Sequence, residues 1–436
     1  MTDDRKRFYT SMVILALMFF IFGFVSWMNS ILIPYFRVAC ELTHFQSYLV
    51  TFAFYIAYFV MAVPSGKLLD RVGFKRGIMY GFMCMAVGAF IFVPAALARE
   101  FWIFLIGLFS IGTGLAILQT AANPYVTIIG PIDSAARRMS IMGVCNKFAG
   151  IISPLVFAAL VLNNSGDSEM FAQIESGLLA PDVKEAMLDE LIRRVIWPYT
   201  ILGVILLAAG IWIRHSVLPE IDTAKDNASE AGTETGRRSV FSYPYLVLGA
   251  VAIFFHVGSQ VVAIDTIIGY AGDMGLDMIQ AKAFPSYTLT FTLIGYLCGI
   301  VLIPKLVSQT RAFQFCVTLG LVLSLCVIFV DAPMTVGGHQ VNASIMFLSA
   351  LGLPNSLIYA GIWPLAIHNL GRHTKTGSSL LIMGLCGNAI MPQLYGLIAD
   401  HVNLRAGYWV LVPCFLYLMF YAFWGHKIQN WKKTEK

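Results

Sequence analysis

The sequence predicts an all-α membrane protein with twelve transmembrane helices in two six-helix, pseudo-symmetric halves. Three observations predict it. The 436 residues are 58% hydrophobic and only 12% charged, about half the charged share of a soluble domain. Twelve apolar runs approach the roughly 20 residues that cross a bilayer as a helix. The first six runs and the last six also share sequence at a nearly constant spacing.

The runs cover 9–36, 47–66, 78–98, 101–129, 140–162 and 195–213, then 243–271, 286–304, 312–331, 343–368, 378–399 and 406–426. We number them spans 1 to 12. A bilayer offers the backbone no water, so each must bond within itself as a helix. Span 1 is longer than the roughly 7–15 residues of a signal h-region and has no small-residue cleavage site, so it is expected to be retained. Residues 163–194 contain PDVKEAMLDELIRR (Pro181–Arg194), expected to form an amphipathic helix on the rim. Residues 214–242 are rich in polar and small residues (LPEIDTAKDNASEAGTETGRRS) and read as a flexible linker. It separates an N-terminal half, 1–213, from a C-terminal half, 243–436.

Loop charge sets the orientation. With the N-terminus cytoplasmic, 21 of the 29 Lys/Arg fall inside, seven fall outside, and Lys147 lies within a span. The positive-inside rule therefore places both termini in the cytoplasm of a cell or inner membrane. Insertion also accounts for the net charge of +5, so no nucleic-acid partner is implied. The eight cysteines form no CxxC pair; they read as small apolar packing residues, with no metal site, no disulfide framework and no cofactor expected. Nothing in the sequence calls for a partner chain, and a monomer is expected.

The repeat is explicit. SIMGVCNK (Ser140–Lys147) matches LIMGLCGN (Leu381–Asn388) at an offset of 241. NPYVTIIG (Asn123–Gly130) resembles WPLAIHNLG (Trp363–Gly371), with the prolines 240 apart, and Lys67 and Lys305 open comparable basic turns 238 apart. Parallel six-helix repeats place a solute site at their interface, near the bilayer midplane.

Polar residues inside spans are the site candidates. Lys147 and Asp265 are the two charges that cannot be placed at helix ends or in loops. A charge in hydrocarbon survives only beside a partner or a watery cavity. Lys147 lies nine residues beyond Arg138, roughly 13 Å deep, and is expected to bind solute or help couple a cation. Asp265 is expected to hold the coupling cation or carry a proton. Gln119 and Asn123 share a face of span 4, and amides suit hydroxyl-rich solutes. His256 and Gln260 share a face of span 7, with Gln260 the solute candidate and His256 a packing histidine. Gln260 and Asp265 fall roughly 140° apart on a straight helix. Either the helix is irregular there or they face different ways. Asn29, Asn146, Asn388 and Trp363 complete the solute set, with Asn355 and Gln393 behind them. No G-x-x-x-x-G-K-[ST], HExxH or GxSxG occurs, so these enzyme motifs give no support for catalysis.

The turn after span 2, Gly66-KLL-Asp70-Arg71-V-Gly73-F-Lys75-Arg76, resembles the signature loop of the major facilitator superfamily, with Phe74 in place of a basic residue. That resemblance implies a conformational loop, its glycines giving close packing and a tight turn and Asp70 holding a basic group or helix N-terminus across the halves. GLAILQTAANPYVTIIGP (Gly114–Pro131), NSILIPYF (Asn29–Phe36), LTHFQSYLVTFAFYIAYFVMAVPSG through span 2, FFHVGSQ (Phe254–Gln260) and GSSLLIMG (Gly377–Gly384) resemble the fucose/glucose/galactose:cation symporter branch. The implied function is alternating-access import of a neutral hexose, glucose- or galactose-like, by symport with sodium or a proton. The alternative is a facilitative uniporter with Lys147 and Asp265 as structural or gating charges. Ser30, Gln119 and Gln260 stand where the fucose type carries acids, so its proton chemistry does not transfer.

Overall fold

The computed structural model describes residues 3–128, 135–162, 170–171, 173–174, 179–216, 218, 239–303, 306–336, 338–368, 370 and 374–431. Among the described residues, twelve helical segments are long and apolar enough to cross a membrane: Phe8–Ala39, Leu49–Leu69, Phe74–Ala98, Phe101–Ala122, Ile141–Val161, Pro181–His215, Pro244–Asp265, Met278–Leu302, Gln309–Phe329, Ser344–Ile367, Ser379–His401 and Leu404–Lys427. They correspond in order to the twelve predicted spans. The sixth includes the rim helix, Pro181–Arg193, opened by a proline at its first turn, where the missing N–H costs nothing. Tyr35 donates to the Leu191 carbonyl and Lys184 pairs with Glu41, tying this helix to the bundle. Most of the expected linker lies outside the described residues.

The two halves pack alike. In the first, span 1 packs on 5, 2 on 4, 3 on 4 and 3 on 6; in the second, 7 packs on 11, 8 on 10, 9 on 10 and 9 on 12. One close approach recurs. A Cβ on Gly112 would collide with the Phe54 carbonyl of span 2, and one on Gly352, 240 residues on, with the Thr288 carbonyl of span 8. Spans 5 with 8 and 11 with 2 form the joint between the halves, exchanged by the same pseudo-symmetry.

Two equivalent spans are broken. Span 1 divides at Met28 between helices Asp3–Trp27 and Asn29–Ala39. Span 7 divides at Thr266 between Pro244–Asp265 and Ile267–Asp273. Positions 28 and 266 stand 238 apart, within the family of repeat offsets. In span 1, Pro34 removes the bond to the Ser30 carbonyl and crowds it. In span 7, Thr266 Oγ1 donates back to the Val262 carbonyl at 2.7 Å, a local bond that bends helices. A two-stranded hairpin, Pro333–Val336 with His339–Asn342, joins spans 9 and 10. The eight cysteines are free thiols; burial pushes Cys40, beyond the end of span 1, up to about 12 against the pull of Arg99.

Candidate functional site

The break in span 1 sets two polar side chains into the bundle. Ser30 Oγ takes up the Trp27 carbonyl at 2.8 Å. Trp27 and Asn29, on either side of Met28, are 5% and 1% exposed, and neither Trp27 Nε1 nor Asn29 Nδ2 has a partner among the described residues. Lys147 of span 5 lies over the indole, its Nζ 4.2 Å from the ring centre. Cation–π attraction offsets part of the cost of burying the ammonium. Lys147 is 7% exposed and forms no ion pair among the described residues. Its neighbour Asn146 is half-buried and donates to the Phe19 carbonyl at 3.2 Å.

His256 of span 7 is 1% exposed, and its Nδ1 has no partner among the described residues. Its ring lies 6.4 Å from Tyr359, which stacks on Trp363 at 5.6 Å. Asn388 Oδ1 and both amide ends of Asn355 and Gln393 are buried without partners. Gln119 donates to the Tyr58 hydroxyl at 2.8 Å; the side chain of Asn123 lies outside the described residues. Buried polar atoms left unsatisfied in this number are what a hydroxyl-rich solute can satisfy.

Asp265 belongs to a different layer. The helix is regular through Asp265 and breaks only after it, so Gln260, half-buried, and Asp265 point in different directions. Asp265 is 2% exposed; its Oδ2 accepts from Thr51 Oγ1 of span 2 at 3.2 Å, and Oδ1 has no partner. It does not pair with Lys147. Thr51 and Trp27 carry no sequence signal, because a threonine and a tryptophan in an apolar run look like packing.

The halves are latched at the end of the bundle away from the two termini. The backbone N–H groups of His44 and Phe45 donate to the two oxygens of Asp400 at 2.9 and 2.8 Å. This carboxylate of span 11 caps the helical turn His44–Ser47 that leads into span 2. Tyr48 packs edge-on against Tyr395 at 5.5 Å, and Ser286 donates to the Ile151 carbonyl at 2.6 Å. With Thr51–Asp265, these are the cross-half hydrogen bonds among the described residues. Burial, aided by Arg37 and opposed by Asp400 and Asp273, lowers His44 to about 4, so its ring stays neutral through neutral pH and does not switch the latch.

At the other end, Gly73 turns the chain between spans 2 and 3 at φ +79, ψ 164, a region open essentially to glycine. Lys75 donates to the Ser216 carbonyl, where span 6 ends, a favoured place for a cation. Arg71 and Arg76 are exposed, and nothing stands within 4 Å of where a Gly66 side chain would begin. The Asp70 side chain lies outside the described residues.

Two pseudo-equivalent halves, broken helices and an interior polar cluster define a secondary transporter that works by alternating access. Residues 15–386 match the model of the Major Facilitator Superfamily, and the chain belongs to that family. It is 30% identical over 429 residues to a glucose/galactose transporter of Brucella abortus, covering 98% of this chain and 96% of that one. It is 29% identical over 425 residues to the L-fucose-proton symporter of Escherichia coli, covering 96% and 94%. The crystal structure of a Major Facilitator Superfamily transporter, FucP, in the outward conformation superposes with a TM-score of 0.69 at 27% identity, covering 95% of this chain and 98% of that one.

Proposed function

We propose that this protein imports a hexose, of the glucose or galactose type, together with a sodium ion or a proton. The observation that carries the reading is the pair of equivalent breaks at Met28 and Thr266, each beside buried polar groups without partners. The sugar sits among Gln119, Asn123, Asn146, Lys147, Gln260, Asn388, Asn29 and Trp363. The cation binds at Asp265, whose free oxygen and neighbouring Thr51 suit either ion. Loading both satisfies polar atoms and favours closure, after which the halves, joined by the 214–242 linker, rock and release both solutes to the cytoplasm. The names of the relatives support a sugar, and the loop charges support cytoplasmic termini in a cell or inner membrane. Uptake of radiolabelled glucose or galactose into proteoliposomes, under a sodium or a proton gradient, tests the reading. Uphill accumulation under one gradient identifies the ion, and equilibration under both favours a uniporter.

The Asp400 latch supports the conformational half of this reading. Losing the two hydrogen bonds from His44 and Phe45 to the carboxylate costs about 1–2 kcal/mol, which moves a two-state equilibrium roughly 5- to 30-fold. Asp400→Ala is expected to shift the protein by that factor towards states open at the latched end. Spin labels at Val183 and Val402, both exposed and on opposite halves, read it as a gain in the longer-distance population. An unchanged distance distribution would show that the carboxylate does not hold the latch.

A further inference from the structure

We propose that the transported sugar carries a carboxylate, and that Lys147 receives it. The inference rests on the sugar-transport reading and narrows its glucose- or galactose-type hexose to the acid form, a hexuronate.

Lys147 is the single Lys or Arg within the twelve apolar runs read from the sequence. It is buried with an aromatic face beneath it and no counter-charge beside it among the described residues. Removing one partner from a buried pair leaves an uncompensated charge, which is strongly unfavourable. A ring face offsets only part of that. The binding partner that completes the pair is therefore an anion.

The donor atoms on either side of the span 1 break, whose Trp27 ring lies under Lys147, are of the matching kind. Trp27 Nε1 is donor-only, and Asn29 Nδ2 carries two donor hydrogens; both are buried and without partners, on either side of the span 1 break. An ammonium with neutral N–H donors is a set that a carboxylate satisfies through charge-assisted hydrogen bonds. Hydroxyls of a neutral hexose can occupy the same donors but leave the charge without a partner. Asp265 does not fill the role, because it is held by Thr51 at the joint between the halves. Meanwhile Asn388, Asn355 and Gln393 keep unpartnered amide oxygens for ring hydroxyls.

The test is direct binding to the purified full-length protein by isothermal calorimetry, using D-glucuronate, D-galacturonate, D-glucose and D-galactose at neutral pH. Each acid is expected to bind about ten-fold or more tighter than its parent hexose. Lys147→Gln should abolish that preference, whereas Lys147→Arg should retain it. A wild-type protein that binds the hexoses as well as the acids overturns the inference and leaves sugar transport standing. Acid preference that survives in Lys147→Gln overturns the role of Lys147. Binding of none of the four overturns both readings. If Lys147→Gln elutes aggregated, the wild-type ratio and Lys147→Arg decide the matter alone.

Discussion

Replacing Asp265 with asparagine is expected to abolish uphill accumulation and leave downhill equilibration in place. Asn has nearly the same shape and keeps an oxygen to accept from Thr51, so the contact between spans 2 and 7 survives. What it loses is the charge and the ability to take a proton. A cation can drive the cycle only through differential affinity for the two states of the transporter. Asp265 is placed for that because it sits at a cross-half contact, beside the break in span 7, and has one oxygen free. The variant should fold, exchange labelled for unlabelled sugar across the vesicle, and stop at equal concentrations under any ion gradient. Normal accumulation by Asp265→Asn would remove the residue from coupling and leave its burial as a purely structural feature. Thr51→Val gives an independent reading. It removes the donor but keeps the acid, so it should alter ion affinity while accumulation persists at higher ion concentration.

The fold was largely legible in the sequence because hydrocarbon leaves so few options. Apolar runs of the right length become helices, and their order and number follow. The repeat was legible because SIMGVCNK and LIMGLCGN preserve both spacing and residue type. The breaks were not. Span 7 reads as one run from 243 to 271, and nothing in the local sequence VAIDTIIG sets Thr266 apart from any other threonine. Its effect comes from a hydroxyl that donates to Val262 and is held by Tyr408 of span 12, a tertiary fact. Candidate polar residues could be picked out of the sequence, but their grouping could not. Polar residues in apolar runs could be named, but sequence alone does not say that Lys147 meets Trp27 and Asp265 meets Thr51. Asp400 was missed for a related reason: an acid at a helix end is ordinary, and only the fold shows that it caps a helix of the other half.

The second large effect concerns the duplication itself. Leucine at Gly112 or at Gly352 is expected to prevent folding in each case. In both halves a backbone carbonyl, from Phe54 or Thr288, occupies the space that a Cβ would need. A carbonyl within a helix cannot swing aside as a side chain does, so the two helices must part. Overpacking of this sort costs about 3 kcal/mol or more, a large share of a typical stability of roughly 5–15 kcal/mol. Gly143→Leu is the control, since nothing lies within 4 Å of its Cβ position in span 5. Size-exclusion profile and thermal melting in detergent read the result. The control should remain monodisperse and melt near wild type, while the other two should aggregate or melt far lower. The equivalence of the two losses is the point. Spans 2 with 4 and 8 with 10 each set a glycine, 112 or 352, against a backbone carbonyl of the paired span, so the halves rely on that close approach separately. If Gly352→Leu behaved like the control while Gly112→Leu collapsed, the C-terminal half would hold span 10 by some other contact, and the pseudo-symmetry would stop at helix order.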